Sequence, residues 1–93
     1  MMDYIQGQTI WPYALFTDIS GAPVDPTVTI ILQDPDGTTS NPVALNPEVG
    51  KWNFELTLTD VGIYRWEFHG DTSEGTTVCS GQACATPSLM MVS

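Results

Sequence analysis

Few residues in this chain could do covalent chemistry. His69 is the single histidine, and Cys79 and Cys84 are the two cysteines. A thiol nucleophile with an imidazole base would have to be drawn from these three. His69 alternates outward at a strand end, where a solvated imidazole is the ordinary reading, and no orienting partner can be proposed for it. The cysteines enclose Ser80-Gly81-Gln82-Ala83. At a hairpin tip this spacing could close a disulfide worth about 2 kcal/mol in the chain-entropy picture, whereas in a reducing cytosol the pair stays as two thiols. Zinc would need two further ligands, and beyond the cysteines only His69 is on offer. Asp18, Asp25, Asp34 and Asp36 lie in loops where a hard cation could find oxygen, but their spacing matches no calcium loop and turn chemistry accounts for each. The paired carboxylates Asp34 and Asp36 sit in such a turn and do not suggest a glycosidase. The expectation is therefore no catalytic residue, no metal and no cofactor: a protein that is not an enzyme.

The chain has 93 residues, with 11 acidic side chains against 2 basic ones, Lys51 and Arg65, for a net charge of −9. A phosphate backbone and an anionic lipid surface are both repelled by that balance, so neither nucleic acid nor membrane is an expected partner. No apolar run approaches the ~20 residues of a spanning helix. The opening Met1-Met2-Asp3-Tyr4-Ile5-Gln6-Gly7 has neither a basic nor an apolar region of the kind a secretory signal carries. The length suits one domain over residues 1–93, with one core.

Seven prolines and eight glycines spread between short apolar runs argue for many short strands. Gln8–Thr17 reads as a first strand, with Ile10, Pro12, Ala14 and Phe16 on one face and Trp11, Tyr13 and Leu15 on the other. Thr27–Gln33 alternates with period 2 and ends at Asp34-Pro35-Asp36-Gly37, a strong turn. A weaker strand lies within Thr39–Leu45, and Asn46–Gly50 reads as a loop. Trp52, Phe54, Leu56 and Leu58 alternate most cleanly. Asp60-Val61-Gly62-Ile63-Tyr64-Arg65-Trp66 then has the form of a tyrosine corner, in which the hydroxyl bonds back to backbone just upstream and pins the turn into the next strand. Asp60, Gly62, Tyr64 and Trp66 are the structural residues of this corner. Trp66 stands where an antibody domain carries its second core cysteine. Tyr64, Trp66 and Phe68 face inward; Arg65, Glu67 and His69 face outward. Residues 71–93 form a C-terminal segment whose last strand lies between Thr76 and Val92, its register left open. The fold class is all-β, an immunoglobulin-like β-sandwich of about seven antiparallel strands.

Function has to come from spare apolar surface. A sandwich strand needs one apolar face, yet Ile10–Phe16 is apolar or aromatic on both. Trp11, Tyr13 and Leu15 are therefore interface candidates, since tryptophan and tyrosine dominate binding hot spots. Pro12 cannot donate a ladder bond, which places the strand at a sheet edge. A second apolar run, Leu89, Met90, Met91 and Val92, is either the final core strand or an arm docked on a neighbour.

Taken in order, Phe16-Thr17-Asp18, Gly21, Val24-Asp25-Pro26-Thr27-Val28-Thr29, Asp34-Pro35-Asp36-Gly37-Thr38, Gly50-Lys51-Trp52 and Gly62-Ile63-Tyr64-Arg65-Trp66-Glu67-Phe68 resemble small single-domain structural proteins of tailed bacteriophages. The likeness covers about residues 7 to 70. It implies a virion part assembled in the host cytoplasm, most simply a capsid decoration or cement protein bound to the major capsid protein. A tail, baseplate or head-to-tail connector component is the alternative. Bacterial adhesin repeats share some of the elements, which leaves open a binding module for carbohydrate or a host protein. A homo-oligomer is compatible with each. After Gly70 the chain departs from the family pattern, with Val78-Cys79-Ser80-Gly81-Gln82-Ala83-Cys84 where a short alternating strand is usual.

Overall fold

The computed structural model describes residues 2–73 and 75–87. In chain order the strands are β1 (Met2–Ile5), β2 (Thr9–Ile10), β3 (Tyr13–Leu15), β4 (Thr27–Gln33), β5 (Thr39–Ser40), β6 (Leu45–Glu48), β7 (Lys51–Asn53), β8 (Leu56–Thr57), β9 (Gly62–Thr72) and β10 (Gly75–Thr86). One layer is a five-stranded sheet in the order β1-β10-β9-β4-β5. The other is built from β2 paired with β8, and β3 paired with β7, which in turn pairs with β6.

The expected first strand is broken in two. Pro12 lies between β2 and β3 and has no N–H to give the ladder, although its carbonyl still accepts from Phe54 N at 3.2 Å, carrying the two paths across the gap. The cleanest predicted strand divides at the same level, into β7 and β8. The alternation of faces survives the break: Pro12, Ala14 and Phe16 are buried, Trp11, Tyr13 and Leu15 exposed. One loop assignment and one strand assignment change. β6 occupies part of Asn46–Gly50, and the strand expected within Thr39–Leu45 shrinks to the two residues of β5. β6 is exposed along its whole length, so no inward period marks it.

The core lies between the layers. Ile30 and Leu32 come from β4, Tyr64 and Phe68 from β9, and Phe54, Leu56 and Leu58 from the facing segment. Phe54 is fully buried, with its ring centroid 5.6 Å from Phe68 and 6.1 Å, edge-on, from Trp66. Burying each such ring contributes roughly 1.5–3 kcal/mol. The last strand holds small residues inward, Cys79, Gly81, Ala83 and Ala85, which leaves room for the rings of β9. Gly81 pairs with Trp66; a Cβ there would lie 2.6 Å from the Trp66 Nε1. Trp66 thus faces inward as expected but is only half-buried.

The corner forms as its sequence predicts. The hydroxyl of Tyr64, 2% exposed, accepts from the backbone N–H of Asp60 at 2.9 Å. Gly62 has φ of 134°, and its missing Cβ makes space for Pro35 of the β4–β5 turn. The sheets pair antiparallel with one departure, β1, which runs parallel to β10 from Met2↔Ala83 to Ile5↔Thr86. With this strand order and a tyrosine corner leading into β9, the domain is an immunoglobulin-like β-sandwich.

Candidate functional site

The groups with chemical potential are kept apart. His69 lies on the outer face of β9, its Nε2 2.9 Å from Glu67 Oε1, so an orienting partner exists where the sequence suggested none. Its cross-strand neighbours are Thr29 and Val78. Cys79 alternates inward and packs beside the core, whereas Cys84 alternates outward opposite Ile63. Both thiols are free. The hairpin tip that could have bridged them is absent: both lie within one extended strand, five positions apart, roughly 16 Å of chain and on opposite faces.

The loop aspartates serve their loops. Asp18 Oδ1 accepts from Ser20 Oγ at 2.6 Å, Ser20 N at 2.8 Å and Ala22 N at 3.1 Å. These bonds, the Ser20 hydroxyl foremost, hold its carboxyl below the usual value. Asp36 is held low in the same way by Thr38. Asp25 ties β6 and β7 to the β3–β4 loop, accepting from Gly50 N at 2.8 Å and Asn46 Nδ2 at 3.2 Å. Asp34 is pushed up, by burial first and then by the charges of Asp36 and Asp60. Among the described residues no three histidine, cysteine or acidic side chains are placed to hold a metal ion together.

A continuous surface forms on the outer face of β3-β7-β6. Trp11, Tyr13 and Leu15 are 56%, 61% and 62% exposed. Tyr13 pairs with Asn53 and Leu15 with Lys51, while Asn53 pairs on its other side with Leu45, also exposed. The Lys51 ammonium lies over the Tyr13 ring, 5.1 Å from its centroid, a cation–π distance. Asn53 Oδ1, within the same patch, is buried without a hydrogen-bond partner among the described residues. β3 is the edge of its sheet, as Pro12 required. Around the β2–β3 break, Tyr4, Trp11, Tyr13, Trp66 and Gln82 line an open groove of about 230 Å³. The structure thus brings Trp11, Tyr13 and Leu15 together with Lys51 and Leu45, two residues the sequence did not mark. Leu89, Met90, Met91 and Val92 lie outside the described residues.

A second concavity, of about 430 Å³, opens between the β3–β4 loop and the β9–β10 hairpin. Phe16, Val24 and Pro26 form part of its lining with Thr17, Asp18, Ile19, Gly70, Thr72 and Thr77. Nothing in the sequence pointed to it, because its walls are ordinary turn residues and threonines until the two loops converge.

No protein-family model matches this chain, and no curated protein matches it. Among solved structures, a DUF4785 family protein from Legionella pneumophila is similar, with a TM-score of 0.58 and 17% identity over 94% of this chain. The chain spans about a quarter of that protein, 26% of its length, and at this identity the likeness speaks to fold alone. The Ig-like domain of human leucine-rich repeat-containing protein 4 aligns over 94% of this chain and 79% of its own, with 16% identity and a TM-score of 0.44.

Proposed function

We propose that this domain is a non-enzymatic structural subunit of a tailed-phage particle, a capsid decoration or cement protein that docks on the major capsid protein through the outer face of β3-β7-β6. The observation that carries the docking surface is the strip Trp11, Tyr13 and Leu15, three bulky side chains more than half exposed along the edge strand β3 and the residues just before it. Burying that strip against a neighbour removes apolar area from water at about 25 cal/mol per Å², and the acidic remainder of the surface keeps the free subunit soluble. The phage assignment itself is supported by the ordered motifs between residues 7 and 70. On this reading the protein is assembled in the host cytoplasm and ends in the virion.

Charge introduced into a buried interface costs several kcal/mol unless it is paired. Tyr13→Glu and Trp11→Glu should therefore give folded, soluble protein that no longer co-purifies with particles, while Glu67→Gln, on the opposite sheet, loads normally. If both glutamate variants fold and load at wild-type copy number, this surface is not the interface. Mass spectrometry of purified virions decides position: a copy number that scales with the major capsid protein means shell, and a few copies per particle means tail, baseplate or connector. Absence from virions overturns the structural role altogether.

A further inference from the structure

The two long strands of the large sheet outrun the layer beneath them. β9 has 11 residues and β10 has 12, whereas β3, which faces this end, has 3. Below the overhang β3 gives way to Phe16, whose N–H donates to Gly50 O at 2.7 Å, and to a loop closed by the Thr17↔Pro23 bridge. Thr77 follows the inward alternation of Cys79, Ala83 and Ala85, yet it is exposed, because the sheet opposite has ended. Inward positions in a sandwich are ordinarily large and apolar. Here they are threonine and glycine, so the uncovered inner face is a hydroxylated wall above an apolar floor.

We infer that the cleft between the β3–β4 loop and the β9–β10 hairpin is a second binding site, one that takes a lysine or arginine side chain presented by an extended segment of a partner protein. Its volume of about 430 Å³ is in the range of natural ligand sites. The groups on its rim accept hydrogen bonds and carry negative charge: the Asp18 carboxylate and the hydroxyls of Thr17, Ser73 and Thr77, which make no side-chain hydrogen bond among the described residues. Neither cation of the chain lines it. Lys51 is held over Tyr13, and Arg65 sits in the other half of β9, opposite Gln33 and Gln82. An anionic ligand could take hydrogen bonds from the hydroxyls but would meet the Asp18 carboxylate with no cation to offset it, and a wholly apolar one would strip water from the hydroxyls without replacing it. A basic side chain satisfies both halves, its methylene stem along Phe16, Val24 and Pro26 and its charged head at the rim. The field of a −9 chain favours its approach.

The site is also set in advance. The Asp18 carboxylate is fixed by Ser20 and Ala22, the loop is closed by Asp18 N to Ala22 O at 2.8 Å, and the hairpin is braced by Thr76 Oγ1 donating to Asp71 at 2.6 Å. On the Asp18 side of the cleft little ordering remains to be done on binding. This surface is separate from the β3-β7-β6 face, so its occupancy does not depend on that docking reading.

The test is a titration of the full-length chain, followed by amide NMR, with the peptide Gly-Ser-Leu-Lys-Leu-Ser-Gly and with the same peptide acetylated on its lysine. The unmodified peptide should saturate and move the amides of Gly70, Thr77 and Ser20, and the acetylated one should not. Asp18→Asn keeps a side-chain oxygen for the Ser20 and Ala22 N–H groups and should weaken binding about two- to five-fold, the usual value of one exposed charge pair. Asp36→Asn, the same change of charge in the β4–β5 turn, should weaken it by clearly less. Thr77→Leu fills the cleft and should abolish the local shifts. No saturable binding, shifts scattered over both sheets, or equal losses in the two aspartate variants would each overturn the assignment.

Discussion

The hydroxyl of Tyr64 and the backbone N–H of Asp60 are joined by a 2.9 Å hydrogen bond that closes the turn from the β7–β8 segment into β9. The tyrosine is the acceptor. Its ring is buried in the core while its oxygen reaches the surface turn, so one side chain fixes both the packing of β9 and the path of the chain into it.

Tyr64→Phe removes that acceptor and leaves the Asp60 N–H without a partner at a part-buried site. The loss should be about 1–2 kcal/mol, read as a lower denaturant midpoint with unchanged slope. Phe54→Ala, at the fully buried centre of the aromatic cluster, should cost more, about 3–5 kcal/mol. If the two rank the other way, the core is centred elsewhere.

Gly62→Ala should be more damaging than its size suggests. The residue has a positive φ, and the new Cβ would sit 2.6 Å from the Pro35 Cβ. Left-handed strain of roughly 1–2 kcal/mol adds to the overpacking, so a drop in melting temperature of several degrees is expected. Pro35→Gly in the same background, which removes the obstructing Cβ but leaves the strain at position 62, should recover only part of it.

The thiols should be thermally silent. With Cys79 and Cys84 on opposite faces of one strand, melting temperature should not differ between reducing and oxidising buffer, and Cys84→Ser should be nearly neutral. Cys79→Ser, beside the core, should cost up to about 1 kcal/mol through the partly buried hydroxyl. A higher melting temperature under oxidising conditions would mean an intramolecular bridge and a different path for β10.

Asp34 offers a pH signature. Its carboxyl is raised above 3.8 in the folded protein by burial and by Asp36 and Asp60, so ionisation opposes folding and the penalty is fully present above the folded value. As pH falls through that value toward 3.8 the folded state takes up the proton first, and the penalty disappears. Asp34→Asn should therefore stabilise the protein at neutral pH, with the gain shrinking on acidification and gone below the ordinary carboxylate range. Urea melts at pH 7 and pH 3 would reveal a constant gain if the raised carboxyl were not its source.

Strands with a large apolar inner face were legible from residue order: β4 through Val28, Ile30 and Leu32, β9 through Tyr64, Trp66 and Phe68, and the two faces of β3. The corner was legible because each of its residues has a conformational reason to be there. β6 was not, since Leu45-Asn46-Pro47-Glu48 is exposed throughout and has no period to read. The register of β10 was hidden because its inward residues are small, Cys79, Gly81, Ala83 and Ala85, complements to rings on another strand. β1 was missed because four residues cannot announce a parallel pairing with a strand some eighty positions away. Of the candidate interface, Trp11, Tyr13 and Leu15 were visible as surplus apolar character, whereas Lys51, Leu45 and the loop-end cleft exist only once distant segments meet.

The parallel union of β1 with β10 gives the domain a direction under load. Tension applied between its two ends would pull Met2–Ile5 one way and Ala83–Thr86 the other, along the strand axes, so the bonds between them are strained together in shear and not opened one after another. The rate of forced unfolding would then be set by that short patch. A domain secured at one end to a rigid lattice and dragged at the other would hold until the patch slid as a unit.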